Sequence, residues 1–170
     1  MQTYPSPLLW FFGGAENLAA NNNWEVIRWH DLWRYGWSSE SLDAADYGDI
    51  PNVAGVYVIV HEMENTPLYV GESNNLANRL RTVMHSKIQE LIQLYENAHA
   101  GYHSREDVAS EMRIFFKPVV SGWPALSLKQ ALIWHEAIAV GLLRPIAQHN
   151  TSRLKEFNIQ LGTGFFDRDR

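Results

Sequence analysis

The chain contains no cysteine. That excludes a disulfide scaffold and every thiolate metal site, and it suits a reducing compartment. No apolar run comes near the ~20 residues that a membrane-spanning helix needs. The short apolar run Leu8 to Phe12 has no basic residue before it, so neither a signal peptide nor a membrane association is expected and the cytoplasm is the expected location. Several chemistries are missing as well: there is no P-loop, no G-x-G-x-x-G, no H-E-x-x-H and no nucleophile elbow. The seven histidines are scattered, and none pairs at zinc-ligand spacing on one helix.

Positive charge is also short. Fourteen Lys and Arg face nineteen Asp and Glu, a net charge of −5, where a phosphate-binding protein would ordinarily be basic. The deficit is local. Residues 1–50 hold Glu16, Glu25, Asp31, Glu40, Asp43, Asp46 and Asp49 against Arg28 and Arg34, and the rest of the chain is neutral. Weak non-specific binding to nucleic acid, or help from a partner, is the expectation.

What is present is enough for a folded domain. An apolar fraction of 46% with 12% aromatics over 170 residues supports one core and argues against disorder. The chain is organised around GVYVIVHEMENTPLYVGESNNLANRLR, residues 55–81. Residues 55–60 are β-branched and aromatic and predict a strand. Residues 61–67 are polar, end in proline and predict a hairpin connection. Residues 68–70 form the return strand, with Gly71 as its stop. Ser73 or Asn74 then caps a helix whose apolar residues Leu76, Leu80, Val83 and Met84 fall at helical spacing.

Before this core, residues 1–23 read as an irregular arm with one short helix. Trp29, Trp33 and Trp37 recur every four residues, so a helix over 24–37 would stack them along one side. Such a stripe serves either as a platform for bases or as a docking face on the core, and the second is favoured because large aromatics are mostly buried. Residues 38–52 read as a linker or an extended lead into the first strand. After the core, residues 87–99 continue as an amphipathic helix, 101–107 break, and 112–120 form a third strand whose Pro118 marks an edge or the strand's end. Residues 121–124 make a turn. Ser127-x-x-Gln130 has the form of a capping box opening a helix to about Leu143, with Pro145 as its terminator. The residues after 150 read as a peripheral tail. The expected fold is α+β: a small three-stranded antiparallel sheet flanked by helices.

The triplet Gly55-Val56-Tyr57, the triplet Tyr69-Val70-Gly71 twelve residues on, and Arg79 ten residues after the second tyrosine resemble the GIY-YIG nuclease family. The resemblance covers residues 53–150, and leaves 1–52 as a Trp-rich extension packing on the core and 151–170 as a tail. It implies a DNA endonuclease using Mg²⁺ or Mn²⁺. In that reading Tyr57 activates the attacking water, Tyr69 supports the site through hydrogen bonds, and Arg79 clamps the phosphate as a permanently charged planar fork. Glu136, mid-helix among apolar residues, matches the family's metal-holding glutamate; on its own it reads equally as a surface carboxylate. His85 matches an acid/base aid used by some members. The family's P-x-x-N ending falls on Gln148, with Asn150 two residues late, and Asn150 is favoured across a small bulge. Arg81, Lys87, Arg153 and Lys155 are candidate contacts to the DNA backbone. Glu72, beside the second triplet, is a negative charge near the expected phosphate path. The alternative is an inactive module of the same fold that binds nucleic acid or a protein, and the extension is a candidate element for specificity, for homodimer formation or for a protein partner.

Overall fold

The computed structural model describes residues 7–20, 27–41, 50–62, 66–82, 112–119 and 127–145. The hairpin tip at 63–65, the lead-in at 42–49, the helix expected over 87–99, the turn at 121–124 and the tail lie outside the described residues.

The fold is α+β, with four antiparallel strands and not the three expected. Strand β1 is Ser38–Ser41, β2 is Gly55–His61, β3 is Thr66–Ser73 and β4 is Met112–Pro118, in the spatial order β1-β4-β2-β3. The helices are α1 (Pro7–Phe12), α2 (Ala15–Ala20), a 3-10 helix (Trp29–Tyr35), α3 (Leu76–Thr82) and α4 (Leu128–Leu143). Among the described residues, no helix is long and apolar enough to cross a membrane.

All seven residues of β2 are buried, as its unbroken β-branched and aromatic run requires for a central strand covered on both faces. Val56, Val58, Val60, Val70 and Phe115 face α4, α1 and the 3-10 helix in one core. Tyr57, Ile59, Leu68, Ile114 and Phe116 face Leu76, Ala77 and Leu80 of α3 in the other. The alternation of side chains along β2 and β4 builds three layers from one sheet; on β3 a register shift between Tyr69 and Pro67 interrupts it and puts Leu68 and Tyr69 against the same core.

The added strand comes from the segment expected to be a linker. Ser38-Ser-Glu-Ser41 pairs with β4, Ser38 opposite Phe116 and Ser41 opposite Arg113. Its residues have no strand propensity, and the cause is its anchoring. Trp37, just before it, is 4% exposed and its indole Nε1 donates to the Phe11 carbonyl at 3.1 Å. Arg113 Nη1 donates to Ser39 Oγ at 3.1 Å. With β1 outside it, β4 is not an edge, and Pro118 marks its end: Pro118 lies beyond the β1 ladder, and its carbonyl accepts from Trp10 Nε1 at 2.8 Å.

The tryptophan stripe is not a stripe. Residues 29–35 form a 3-10 helix, where side chains three apart share a face. Trp29, Leu32 and Tyr35 therefore pack inward, while Trp33 is 66% exposed with the Arg34 guanidinium 5.4 Å from its ring. Gly36 ends the turn at φ 90°. The arm at 7–20 holds two short helices and not one, and Phe11 and Phe12 are fully buried. Lys117 on β4 locks this arm down: its Nζ donates to the Trp10 carbonyl and to that of Tyr35 at 2.7 Å, and burial lowers its pKa to about 8.

At α4 the Ser127 hydroxyl accepts from the Gln130 N–H at 3.1 Å, one half of a capping box. The helix closes with Arg144 in the left-handed conformation at φ 53°, its N–H donating to Val140, directly before buried Pro145.

Candidate active site at the edge of the sheet

Strand β3 runs past Gly71, which pairs with Tyr57; glycine is there for space and does not stop the strand. A Cβ at Gly71 would lie 2.4 Å from both Cζ and the hydroxyl of Tyr57. The Tyr57 phenol therefore lies flat against the backbone of edge strand β3, with its hydroxyl at the sheet margin. Tyr69 lies diagonally across the hairpin, its ring centroid 6.2 Å from that of Tyr57.

From Ser73 the chain turns into α3. Ser73 Oγ accepts from the Asn75 N–H at 2.9 Å, and Asn75, not Ser73 or Asn74, caps the helix by accepting from the Asn78 N–H at 3.0 Å. The first amides of α3 donate back to the lead-in of β2, Leu76 to Val53 at 2.8 Å and Ala77 to Pro51 at 3.2 Å. Leu76, Ala77 and Leu80 are buried, which fixes the helix's rotation and leaves Arg79 half-buried facing a cleft. The cleft has a volume of about 400 Å³. Glu72, Ser73 and Asn74 line it from β3 and its end, Arg79 from α3, and Leu128, Lys129 and Leu132 from the first turns of α4. Arg81 is exposed and is not part of this lining.

Glu136 follows Leu132 by four residues, one turn along α4 on the same side, and is 5% exposed. Its charge reaches Tyr57. Burial foremost pushes the Tyr57 phenol well above the ordinary range; Tyr69 adds to this, Arg79 opposes it, and Glu136 and Glu72 raise it further. One buried hydroxyl thus senses four groups from β3, α3 and α4. Tyr57 feels Tyr69, Arg79, Glu136 and Glu72; of these, Arg79 and Glu72 line the cleft, whereas Tyr57, Tyr69 and Glu136 do not. His85, Lys87, Gln148, Asn150, Arg153 and Lys155 lie outside the described residues.

No family model, curated protein or solved structure matches this chain.

Among the described residues, no three His, Cys, Asp or Glu side chains gather into a metal cage. The donor chemistry still fits Mg²⁺. Glu136 supplies a hard oxygen, and that ion binds through one or two carboxylates while keeping several waters. His135 beside it is fully buried; its Nδ1 donates to the Ala131 carbonyl at 2.5 Å, and burial lowers its pKa to about 4, so it stays neutral. It packs edge-on to Trp10 at 4.6 Å. Lys129 is a cleft residue that no local pattern in the sequence pointed to, because only the fold brings the start of α4 opposite α3.

Proposed function

We propose that this chain is a divalent-metal-dependent endonuclease of the GIY-YIG type that hydrolyses phosphodiester bonds in DNA. One observation carries the reading: groups from three separate segments, Tyr69 with Glu72, Arg79, and Glu136, all act on the phenol of Tyr57, beside an open cleft that Arg79 lines. Tyr57, Tyr69, Arg79 and Glu136 are residues that the family resemblance singles out; Glu72 is not one of them.

In this reading a phosphate enters the cleft, and the Arg79 guanidinium hydrogen-bonds its oxygens and takes up charge that grows in the transition state. Glu136 would hold Mg²⁺ or Mn²⁺, which when bound supplies Lewis-acid stabilisation of the phosphoryl oxygens. Tyr57 keeps its proton, because burial and the surrounding negative charge disfavour the phenolate. It acts as a neutral hydrogen-bond donor at the margin of β3. Tyr69, partly exposed on the same strand, borders it. The N-terminal segment, whose α1 and 3-10 helix pack on the sheet face that α4 also covers, is an element for specificity or for a protein partner.

The test is nicking of supercoiled plasmid with Mg²⁺ by wild type, Glu136→Ala and Arg79→Ala. Wild type should nick, and each variant should lose at least about 100-fold, the scale for removing one charge-stabilising group. Equal nicking by all three would overturn the assignment. The rival reading, a binding module that has lost catalysis, draws on the burial of Glu136 and the net charge of −5. Tight DNA binding without cleavage across several divalent metals would establish it.

A further inference from the structure

Hydrolysis needs a group to take the proton of the attacking water, and the site as drawn leaves that role open. Tyr57 is 4% exposed and holds its proton. Glu136 is 5% exposed and is absent from the cleft wall. The carboxylate that does line the cleft is Glu72, half-buried at the end of edge strand β3 and sharing that wall with Arg79. We propose that Glu72 is the proton acceptor of the reaction, a role that rests on the nuclease reading.

In that step the water oxygen forms a bond to phosphorus as its proton passes to a Glu72 carboxylate oxygen. The bond from phosphorus to the leaving sugar oxygen breaks with its electron pair on that oxygen, which takes a proton from solvent. Glu72 then returns its proton to solvent and the carboxylate is restored. Arg79 holds the phosphate in the cleft whose wall it shares with Glu72 and offsets the negative charge there. Without such a cation, a glutamate on the phosphate path would only repel. Arg79 on α3 and Lys129 on α4 share the cleft wall with Glu72, and the Tyr57 phenol on β2 senses the Glu72 charge together with Tyr69, Arg79 and Glu136.

The experiment compares wild type, Glu72→Gln and Glu72→Asp in plasmid nicking with Mg²⁺, alongside DNA binding measured with Ca²⁺ in place of Mg²⁺. Glu72→Gln should lower the nicking rate by about 10²–10⁴-fold, the usual contribution of general-base catalysis, and should bind DNA as tightly as wild type or tighter. Glu72→Asp, which keeps the carboxylate, should recover part of the lost rate. Glu72→Gln nicking within twofold of wild type, or a loss of DNA binding that accounts for the lost rate, would overturn the assignment. Should Glu72→Gln fail to fold, Glu72→Ala is compared with Glu72→Asp in the same two assays and by the same criteria. The two readings fail separately. Wild-type nicking that Glu136→Ala abolishes and Glu72→Gln leaves intact removes this inference alone, whereas no nicking by wild type with Mg²⁺ or Mn²⁺ removes both.

Discussion

Replacing Gly71 by alanine tests whether the site is built around a contact between one strand's backbone and its neighbour's phenol. Gly71 does not adopt a positive φ, so by conformational entropy alone the change should stabilise the protein by about 0.4–1 kcal/mol. The contact reverses the sign. The new methyl would sit 2.4 Å from Tyr57 Cζ and hydroxyl oxygen and 2.9 Å from Cε1, against an ordinary separation of about 3.5–4 Å. The ring must move by more than ~1 Å, and it is packed in a core with Ile59, Leu76 and Phe116. Overpacking of that kind costs about 1–3 kcal/mol. For a chain of this length that lowers the melting temperature by roughly 2–12 °C. Urea denaturation of wild type, Gly71→Ala, Tyr57→Ala and the double variant measures it as a cycle. Gly71→Ala should cost nothing, or stabilise, once Tyr57 is gone. A cost of under about 0.5 kcal/mol in the wild-type background, or the same cost in both backgrounds, would refute the reasoning. Nicking supplies a second readout: a shift of about 1 Å in a site group typically removes on the order of 100-fold in rate.

Trp37→Ala should destabilise by about 3–5 kcal/mol as a large buried aromatic, whereas Trp33→Ala should stay within about 0.5 kcal/mol; differential scanning calorimetry separates them, and equal effects would contradict the 3-10 assignment. Lys117 has its pKa lowered to about 8 from 10.5. Between those values the unfolded chain binds a proton that the folded chain does not, so wild type should gain stability over Lys117→Met as pH rises from 8 toward 10. Tyr57 acts in the opposite sense above pH ~10, where the unfolded chain releases a proton that the folded chain keeps. Urea midpoints at pH 7, 8, 9 and 10 check the sign, and a flat difference would show that burial of Lys117 is not what governs it. Ser127→Ala should cost about 1 kcal/mol through the lost cap on Gln130, measurable as a shift of the urea midpoint at unchanged slope.

The central hairpin and α4 were legible because their local signals agree with their tertiary surroundings. β2 is β-branched and aromatic throughout and ends up covered on both faces; α4 carries its own cap and its own proline stop. The spacing of Tyr57, Tyr69 and Arg79 was legible for the same reason: each sits on an element whose period its neighbours declare. What could not be read is whatever depends on a partner distant in sequence. Ser38-Ser-Glu-Ser41 forms a strand only because Trp37 is pinned to Phe11 and because β4 offers a free ladder. Lys129 reaches the cleft only because α4 crosses β3 near its end.

The segment at 29–37 shows how two periods compete within the same residues. Tryptophans recur every four residues there and suggest an α-helical stripe. Trp29, Leu32 and Tyr35 recur every three, and the chain follows that period because it buries Leu32 and Tyr35 and packs half-buried Trp29 against the same core while Gly36 turns the backbone so that Trp37 is buried as well. An α-helix would line up Trp29, Trp33 and Trp37 and turn Leu32, now fully buried, about 60° away from Trp29. The tighter turn covers one aliphatic and three aromatic side chains at the expense of leaving one indole in water, and burial of each is worth about 1.5–3 kcal/mol. Trp33 is thus the residue that the packing solution excluded. Among the described acids of residues 1–50, Glu16 is exposed and Asp31 and Glu40 are half-buried; the net charge of −5 is a sum over the whole chain, whereas in the cleft Arg79 and Lys129 stand beside Glu72.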